Sequence, residues 1–225
     1  MMTPASAGPA PVIAIDGPSG AGKGTVAQRV AGELGFHYLD SGALYRLVAV
    51  AADRARVSLD DAAGLARLAR ELPAKFGGDD IWLADERVTD AIRAEAVSAA
   101  ASRVAALPAV RTALLARQHA FRRPPGLVAD GRDMGSVVFP DAGLKVFLTA
   151  SAEERARRRY KQLKDKGMHA NMAALLQDIR ERDARDSARS VAPLQMCEGA
   201  RLLDTTSLGI DEAVQAILAM HREAA

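Results

Sequence analysis

Two hydrophobic patterns alternate along this chain. Short unbroken apolar runs recur, and most are followed by stretches in which apolar residues return at helical spacing. Val12-Ile13-Ala14-Ile15-Asp16 is the first run, β-branched and apolar as a buried parallel strand is. Val26, Ala27, Val30 and Leu34 then mark a helix from Lys23 to Leu34. Phe36 to Leu39 reads as a second strand, closed by Asp40-Ser41-Gly42, and Ala43 to Arg54 as a helix. Ser58 with Asp61 matches an N-cap with a nearby acid and opens a helix to Leu72.

Beyond Pro73 the pattern changes. Gly77-Gly78-Asp79-Asp80 is a turn cluster, with Ile81-Trp82-Leu83 and Arg87-Val88 as short β segments beside it, so a small antiparallel insertion is expected. Helical spacing returns from Ile92 to Ala106, is broken by Pro108, and resumes to about Phe121. Leu127 to Asp130 reads as a third core strand and Leu144 to Thr149 as a fourth. Ser151 and Glu154 form a capping-box pattern opening a helix that ends near Gly167. A further helix is expected from about Met172 to Arg189, a fifth strand over Arg201 to Asp204, and a closing amphipathic helix from Asp211 to His221. Strands alternating with helices predict an α/β fold: a five-stranded parallel sheet covered by helices on both faces, with right-handed crossovers.

Composition narrows the setting. The 225 residues suffice for one buried α/β core with small appended domains. Hydrophobic residues make up 49%, yet no run approaches the ~20 apolar residues of a membrane span. Residues 1–11 lack the basic and apolar regions of a signal peptide and read as a disordered tail. The single cysteine, Cys197, rules out an intramolecular disulfide and fits a reducing, cytoplasmic setting. Net charge of +2 and 4% aromatics give little support to a nucleic-acid or membrane surface. Arginine, however, clusters in Arg155 to Arg159 and Arg180 to Arg189. Such runs are ordinarily solvated helix faces; beside a phosphate site their forked donors gain a use.

That phosphate site is legible. Gly17-Pro18-Ser19-Gly20-Ala21-Gly22-Lys23-Gly24-Thr25 follows a strand and opens a helix. Glycines let the backbone bring N–H groups close to phosphate oxygens, and the helix N-terminus adds partial positive charge. Lys23 can reach the β- and γ-phosphates, and the Thr25 hydroxyl can face Mg²⁺. Gly24 stands where Ser or Thr usually follows the lysine; Gly-Lys-Gly-Thr resembles the loop of nucleoside monophosphate kinases more than that of GTPases or motor ATPases. Asp130 ends the third core strand, where open parallel sheets bind ligands, and can hold Mg²⁺ directly or through water. Arg132, next along, can hold a phosphate.

Four segments together resemble bacterial cytidylate kinases: Asp16 to Thr25, Asp40-Ser41-Gly42-Ala43-Leu44-Tyr45-Arg46, Asp130-Gly131-Arg132-Asp133-Met134-Gly135, and Arg182 to Leu194. The resemblance covers nearly the whole chain from Val12. It implies a P-loop fold of strand order 2-3-1-4-5 and a core of residues 12–40, 105–154 and 192–225. It further implies a CMP-binding domain over 41–104 with its insertion near 73–90, and a lid over 155–191. It implies phosphorylation of CMP or dCMP by ATP with Mg²⁺. Arg46 and Arg132 would grip the CMP phosphate, Ser41 would help place it, and Tyr45 would line the same pocket. Ser102, Arg111 and Asp133 would read cytosine; Arg182 and Asp186 would hold the ribose, and Arg189 would reach phosphates. Lys23, Arg132, Arg158 and Arg189 would stabilise the transferring group, with no general base, since the acceptor phosphate is already ionised.

Spacing supports a lid: Arg182, Arg185 and Arg189 recur at i, i+3 and i+7, with Asp186 beside them, and Arg155, Arg158 or Arg159 and Gln162 form a second stripe. A monomer is expected, because a lid and a clamping domain need room to move. Two rival readings stay open: a kinase for AMP, UMP or shikimate, and a non-catalytic nucleotide switch. An Asn-Lys-x-Asp guanine motif is absent from the sequence.

Overall fold

The computed structural model describes residues 8–78, 80–165, 167–189 and 191–224. The expected tail falls mostly on residues 1–7, and Asp79 of the turn cluster is a further case; both lie outside the described residues. In chain order the strands are β1 (Val12–Asp16), β2 (His37–Asp40), β3 (Ala74–Gly77), β4 (Asp80–Leu83), β5 (Glu86–Arg87), β6 (Leu127–Gly131), β7 (Leu144–Thr149) and β8 (Arg201–Asp204). The α-helices are α1 (Lys23–Leu34), α2 (Ser41–Ala55), α3 (Ala62–Arg70), α4 (Glu95–Val104), α5 (Pro108–His119), α6 (Ala152–Asp165), α7 (Met172–Ser187) and α8 (Ile210–Ala224). The chain divides into two compact units, Met1–Leu39 with His119–Ala225, and Asp40–Gln118.

The first unit is built on the five-stranded sheet of order β2-β6-β1-β7-β8. Counting core strands alone, this is the expected order 2-3-1-4-5. The pairings of β1 with β6, β1 with β7 and β7 with β8 are parallel. Every residue of β1 and β6 is buried, which accounts for their unbroken apolar runs. Ile13, Ile15, Val146 and Leu148 of the sheet pack with Val26, Ala27 and Val30 of α1 and with Val214 and Ile217 of α8. Each of the valine, leucine and isoleucine side chains among them contributes roughly 1.5–3 kcal/mol by leaving water. The register sets Ile15 beside Asp130 and Asp16 beside Gly131. The carboxyl ends of β1 and β6, and the loops that leave them, are therefore neighbours.

In the second unit β3, β4 and β5 form the antiparallel sheet expected of the insertion; Ala74–Gly77 had no strand signal, being short and mostly exposed. Asp40 caps α2 by accepting from Ala43 N at 2.9 Å. The cap of α3 is Asp61, not Ser58: the Asp61 carboxylate accepts from Gly64 N at 2.9 Å, while Ser58 Oγ closes a tight turn with Asp60 N. The helix expected over Ile92 to Ala106 is broken at Ala94, whose extended backbone (ψ 147°) separates a short tight turn, Ala91–Arg93, from α4.

Three other expectations shift in the first unit. The Ser151–Glu154 box is half formed. Glu154 N donates to Ser151 Oγ at 3.2 Å, but Ser151 N donates to Thr206 Oγ1, and the Glu154 carboxylate holds Arg157 and Arg158 instead. α7 ends at Ser187, so Arg189 lies beyond the helix. A wide π-type turn, Met134–Val138, follows Asp133 without any sequence signal. Among the described residues, no single helix is long and apolar enough to cross a membrane.

Candidate functional site

The loop between β1 and α1 is shaped by its glycines at two points. A Cβ on Gly17 would sit 1.9 Å from the Leu148 carbonyl oxygen, so only glycine lets the chain leave the sheet there. Gly22, at φ 91°, takes the left-handed conformation and serves as the N-cap of α1. It offers no capping side chain, and the first turn of α1 carries no acid. The orphan amides of that turn are thus aimed at an anion, together with the helix dipole. Lys23 is buried and donates to the Pro18 carbonyl at 2.8 Å, folding its ammonium back over the loop. Burial pushes that ammonium down to about 7; Arg132 and Arg182 add to the shift, and Asp130 and Asp16 oppose it.

The outer side of the same loop is braced by α6. Arg155 donates to the Ser19 carbonyl at 3.1 Å, to the Ala150 carbonyl at 2.9 Å, and through both terminal nitrogens to Asp183 of α7. Arg158 donates to the Ala21 carbonyl at 3.2 Å, to Glu154 at 3.0 Å, and to the hydroxyl and carbonyl of Thr205. Capturing the loop carbonyls from outside leaves its amides for the inside. Arg155 was expected only as part of the arginine stripe on this helix. Asp183 and Thr205 were not singled out from sequence: each receives a guanidinium from a distant part of the chain, Arg155 and Arg158 respectively, and such a contact leaves no local pattern.

At the carboxyl end of β6, Asp130 is buried and accepts from the Tyr38 hydroxyl at 3.2 Å. A Cβ on Gly24 would lie 3.8 Å from Asp130 Oδ2, so this carboxylate faces the first turn of α1. A carboxylate beside a turn that carries the Thr25 hydroxyl is an all-oxygen donor set that fits Mg²⁺, which takes one or two carboxylates plus phosphate oxygens.

The following residues form a second charged group. Arg132 Nε donates to Asp186 at 2.9 Å, and Arg189 donates to the other oxygen of Asp186. Asp186 is 1% exposed. Its burial alone would raise its pKa, but Arg132 and Arg189 outweigh this and hold it below the ordinary carboxylate value. Asp133, the residue after Arg132, is buried, and Arg182 acts electrostatically on both Lys23 and Asp186. The structure therefore gathers Lys23, Asp130, Arg132, Asp133, Arg182, Asp186 and Arg189 at the carboxyl ends of β1 and β6. Asp16, another residue not singled out from sequence, anchors this group: its carboxylate accepts from Met134 N and Gly135 N, each at 2.8 Å.

The remaining predicted residues lie in the second unit. Ser41 and Tyr45 are buried in the opening turns of α2, with half-buried Arg46 next to them. Ser102 is buried on α4, and half-buried Arg111 on α5 donates to the Ala105 carbonyl at 3.2 Å.

A parallel sheet of this order, whose first strand passes through a lysine-bearing phosphate loop into a helix, defines a P-loop kinase fold. Within that class the chain belongs to the cytidylate kinase family, whose sequence model matches residues 13–223. The cytidylate kinase of Stutzerimonas stutzeri (strain A1501) is 62% identical over 216 residues, covering 93% of this chain and 94% of that protein. That of Chromobacterium violaceum is 60% identical over 213 residues, covering 95% and 96%. That of Cupriavidus necator (strain H16) is 59% identical over 207 residues, covering 92% and 93%.

Proposed function

We propose that the chain transfers the γ-phosphoryl group of ATP to CMP and dCMP, giving ADP and CDP or dCDP, directly and in line without a covalent intermediate. The observation that carries this reading is the register of β1 on β6. It sets a phosphate loop and an arginine–aspartate pair side by side in a chain 62% identical to a cytidylate kinase.

The loop amides from Gly17 to Thr25 and Lys23 bind the donor's phosphates. Mg²⁺, held by the Thr25 hydroxyl and by Asp130 directly or through water, supplies charge neutralisation when bound. Arg132 and Arg189 turn from Asp186 toward the anionic acceptor and transferring groups, and Arg158 supports the donor side through the loop it braces. Asp186 and Arg182 receive the ribose. Arg46 and Ser41 hold the acceptor phosphate and Tyr45 lines its pocket. Ser102, Arg111 and Asp133 pair with the cytosine edge. Cytosine offers an amino donor where uracil offers a carbonyl, so an acceptor group such as Asp133 loses its partner with uracil. The acceptor phosphate needs no base to activate it, so alignment, charge neutralisation and exclusion of water account for the rate. We assign the chain to the cytoplasm as a monomer.

A steady-state panel of CMP, dCMP, UMP, AMP and shikimate with ATP and Mg²⁺, read by ADP production, tests the proposal. CMP and dCMP should lead; failure of both as acceptors overturns it. In the same assay Asp133→Ala should narrow the preference for CMP over UMP by about tenfold or more, the scale of one lost buried hydrogen bond. An unchanged ratio removes Asp133 from base reading.

A further inference from the structure

We infer that Asp16 is a positioning residue for acceptor recognition: by accepting the Met134 and Gly135 amides it fixes the loop that presents Arg132 and Asp133. This rests on the reading that Arg132 and Asp133 engage CMP.

Asp16 is the last residue of β1, directly before Gly17 of the phosphate loop, and is 5% exposed. Its two oxygens divide their work: Oδ1 takes Met134 N and Oδ2 takes Gly135 N, both at 2.8 Å, across 118 and 119 residues of sequence. Those amides open the wide turn Met134–Val138, whose later amides bond within the turn, Val137 N and Val138 N to the Asp133 carbonyl and Phe139 N to that of Met134. The carboxylate thus caps a turn from a distant strand, as an N-cap residue caps a helix from within.

Arg132 and Asp133 lie between two fixed points. On one side Gly131 is held in register beside Asp16 at the end of the β1–β6 ladder. On the other side the Asp16 carboxylate holds residues 134 and 135. A third constraint backs the second: a Cβ on Gly135 would lie 3.2 Å from the Lys145 side chain and 3.3 Å from Cys197 Sγ, so the turn has no room to retreat. Burying an ionised carboxylate is unfavourable unless it is paired. An apolar residue would end a buried strand at lower cost, so the acid is explained by the two amides it holds. The acceptor loop is thereby hung from the chain segment that leads into the donor loop.

The test compares Asp16→Asn with Arg132→Ala. Asparagine keeps the shape but accepts with one oxygen and sets an NH₂ against the other amide. Asp16→Asn should raise KM for CMP about 10–100-fold, the factor expected for a lost charge-assisted bond. KM for ATP should stay within about threefold of wild type. An unchanged KM for CMP, or an equal rise for both substrates, overturns the inference. If Asp16→Asn fails in this way while Arg132→Ala selectively loses CMP, the inference falls and the functional reading stands. If Arg132→Ala leaves CMP use intact, the functional reading falls and takes the inference with it. Hydrogen exchange on the wild-type chain needs no variant to fold. The Met134 and Gly135 amides should exchange as slowly as those of β1, and exchange at the rate of an exposed loop would overturn the anchoring.

Discussion

Helices α6 and α7 both carry a run of arginines, yet they hold different things. From α6, Arg155 and Arg158 bind backbone carbonyls of the phosphate loop, at Ser19 and Ala21. From α7, the acids do the holding: Asp186 engages Arg132 and Arg189, and Asp183 engages Arg155. The first helix shapes the donor loop through main-chain atoms. The second organises the arginines proposed for the acceptor side. Similar composition therefore serves two tasks, and substitutions in the two groups should separate by substrate.

The largest separation is expected at Arg132, whose guanidinium Asp186 orients. Arg132→Ala should lower kcat/KM for CMP by about 10²–10³, the usual cost of one charge-stabilising donor. KM for ATP should change by no more than about threefold. Initial rates with each substrate varied in turn check this, and an equal loss for both substrates would erase the division between the two groups.

Next comes Arg155, buried with Asp183 as its ion-pair partner. Arg155→Met keeps much of the packing volume but strands Asp183 and frees the Ser19 carbonyl. Breaking a buried pair costs about 3–5 kcal/mol, and partly exposed Asp183 places this one at about 2–3 kcal/mol. KM for ATP should rise about tenfold, more than KM for CMP. Urea unfolding and the same kinetics measure both. A stability loss without the ATP bias would make Arg155 a strut between helices only.

A smaller effect tests the loop that α6 braces. Burial holds Lys23 at about 7, below the 10.5 of an ordinary lysine. In the ligand-free chain the folded state therefore binds fewer protons than the unfolded state above about pH 7, and this group adds stability as pH rises from there toward 10.5. Asp16, raised from 3.8 to about 6, has the opposite sign: stability falls as pH rises through that window. A phosphate beside Lys23 favours its ammonium, so ATP binding at pH 8 should take up a fraction of a proton, at most about one. Calorimetry in buffers of different ionisation enthalpy reads this uptake. Lys23→Arg should abolish it, because a guanidinium stays charged.

These groups were unequally legible in the sequence. The strands were readable because buried parallel strands leave unbroken apolar runs, and Val12–Asp16 and Leu144–Thr149 fall at their expected bounds. The phosphate loop was readable because its chemistry is local. Asp16 was not, because its partners are amides more than a hundred residues away. Nor was the difference between α6 and α7, since a guanidinium held by a carbonyl looks in sequence like one held by water. Breaks without glycine or proline were missed as well. Ala94 interrupts an alanine-rich stretch whose helical spacing continues across it, and α7 stops at Ser187 with no marker.

Arg185 gives the smallest expected effect and the sharpest use of the comparison. By spacing it shares a helix face with Arg182 and Arg189. In the structure the buried positions of α7 are Ile179 and Asp186, and Arg189 lies past the end of the helix. Arg185 is left on the solvent side, its side chain 52% exposed and its pairing with Glu181 loose at 3.9 Å. Exposed pairs of this kind contribute about 0–1 kcal/mol, and at this distance the lower end applies. Arg185→Ala should therefore leave both KM values and kcat within about twofold and stability within about 0.5 kcal/mol. A tenfold fall in kcat would mean that α7 brings its outer face over the donor during turnover. The assignment of donor-side bracing to the α6 arginines, with α7 contributing only Asp183, would then have to be abandoned.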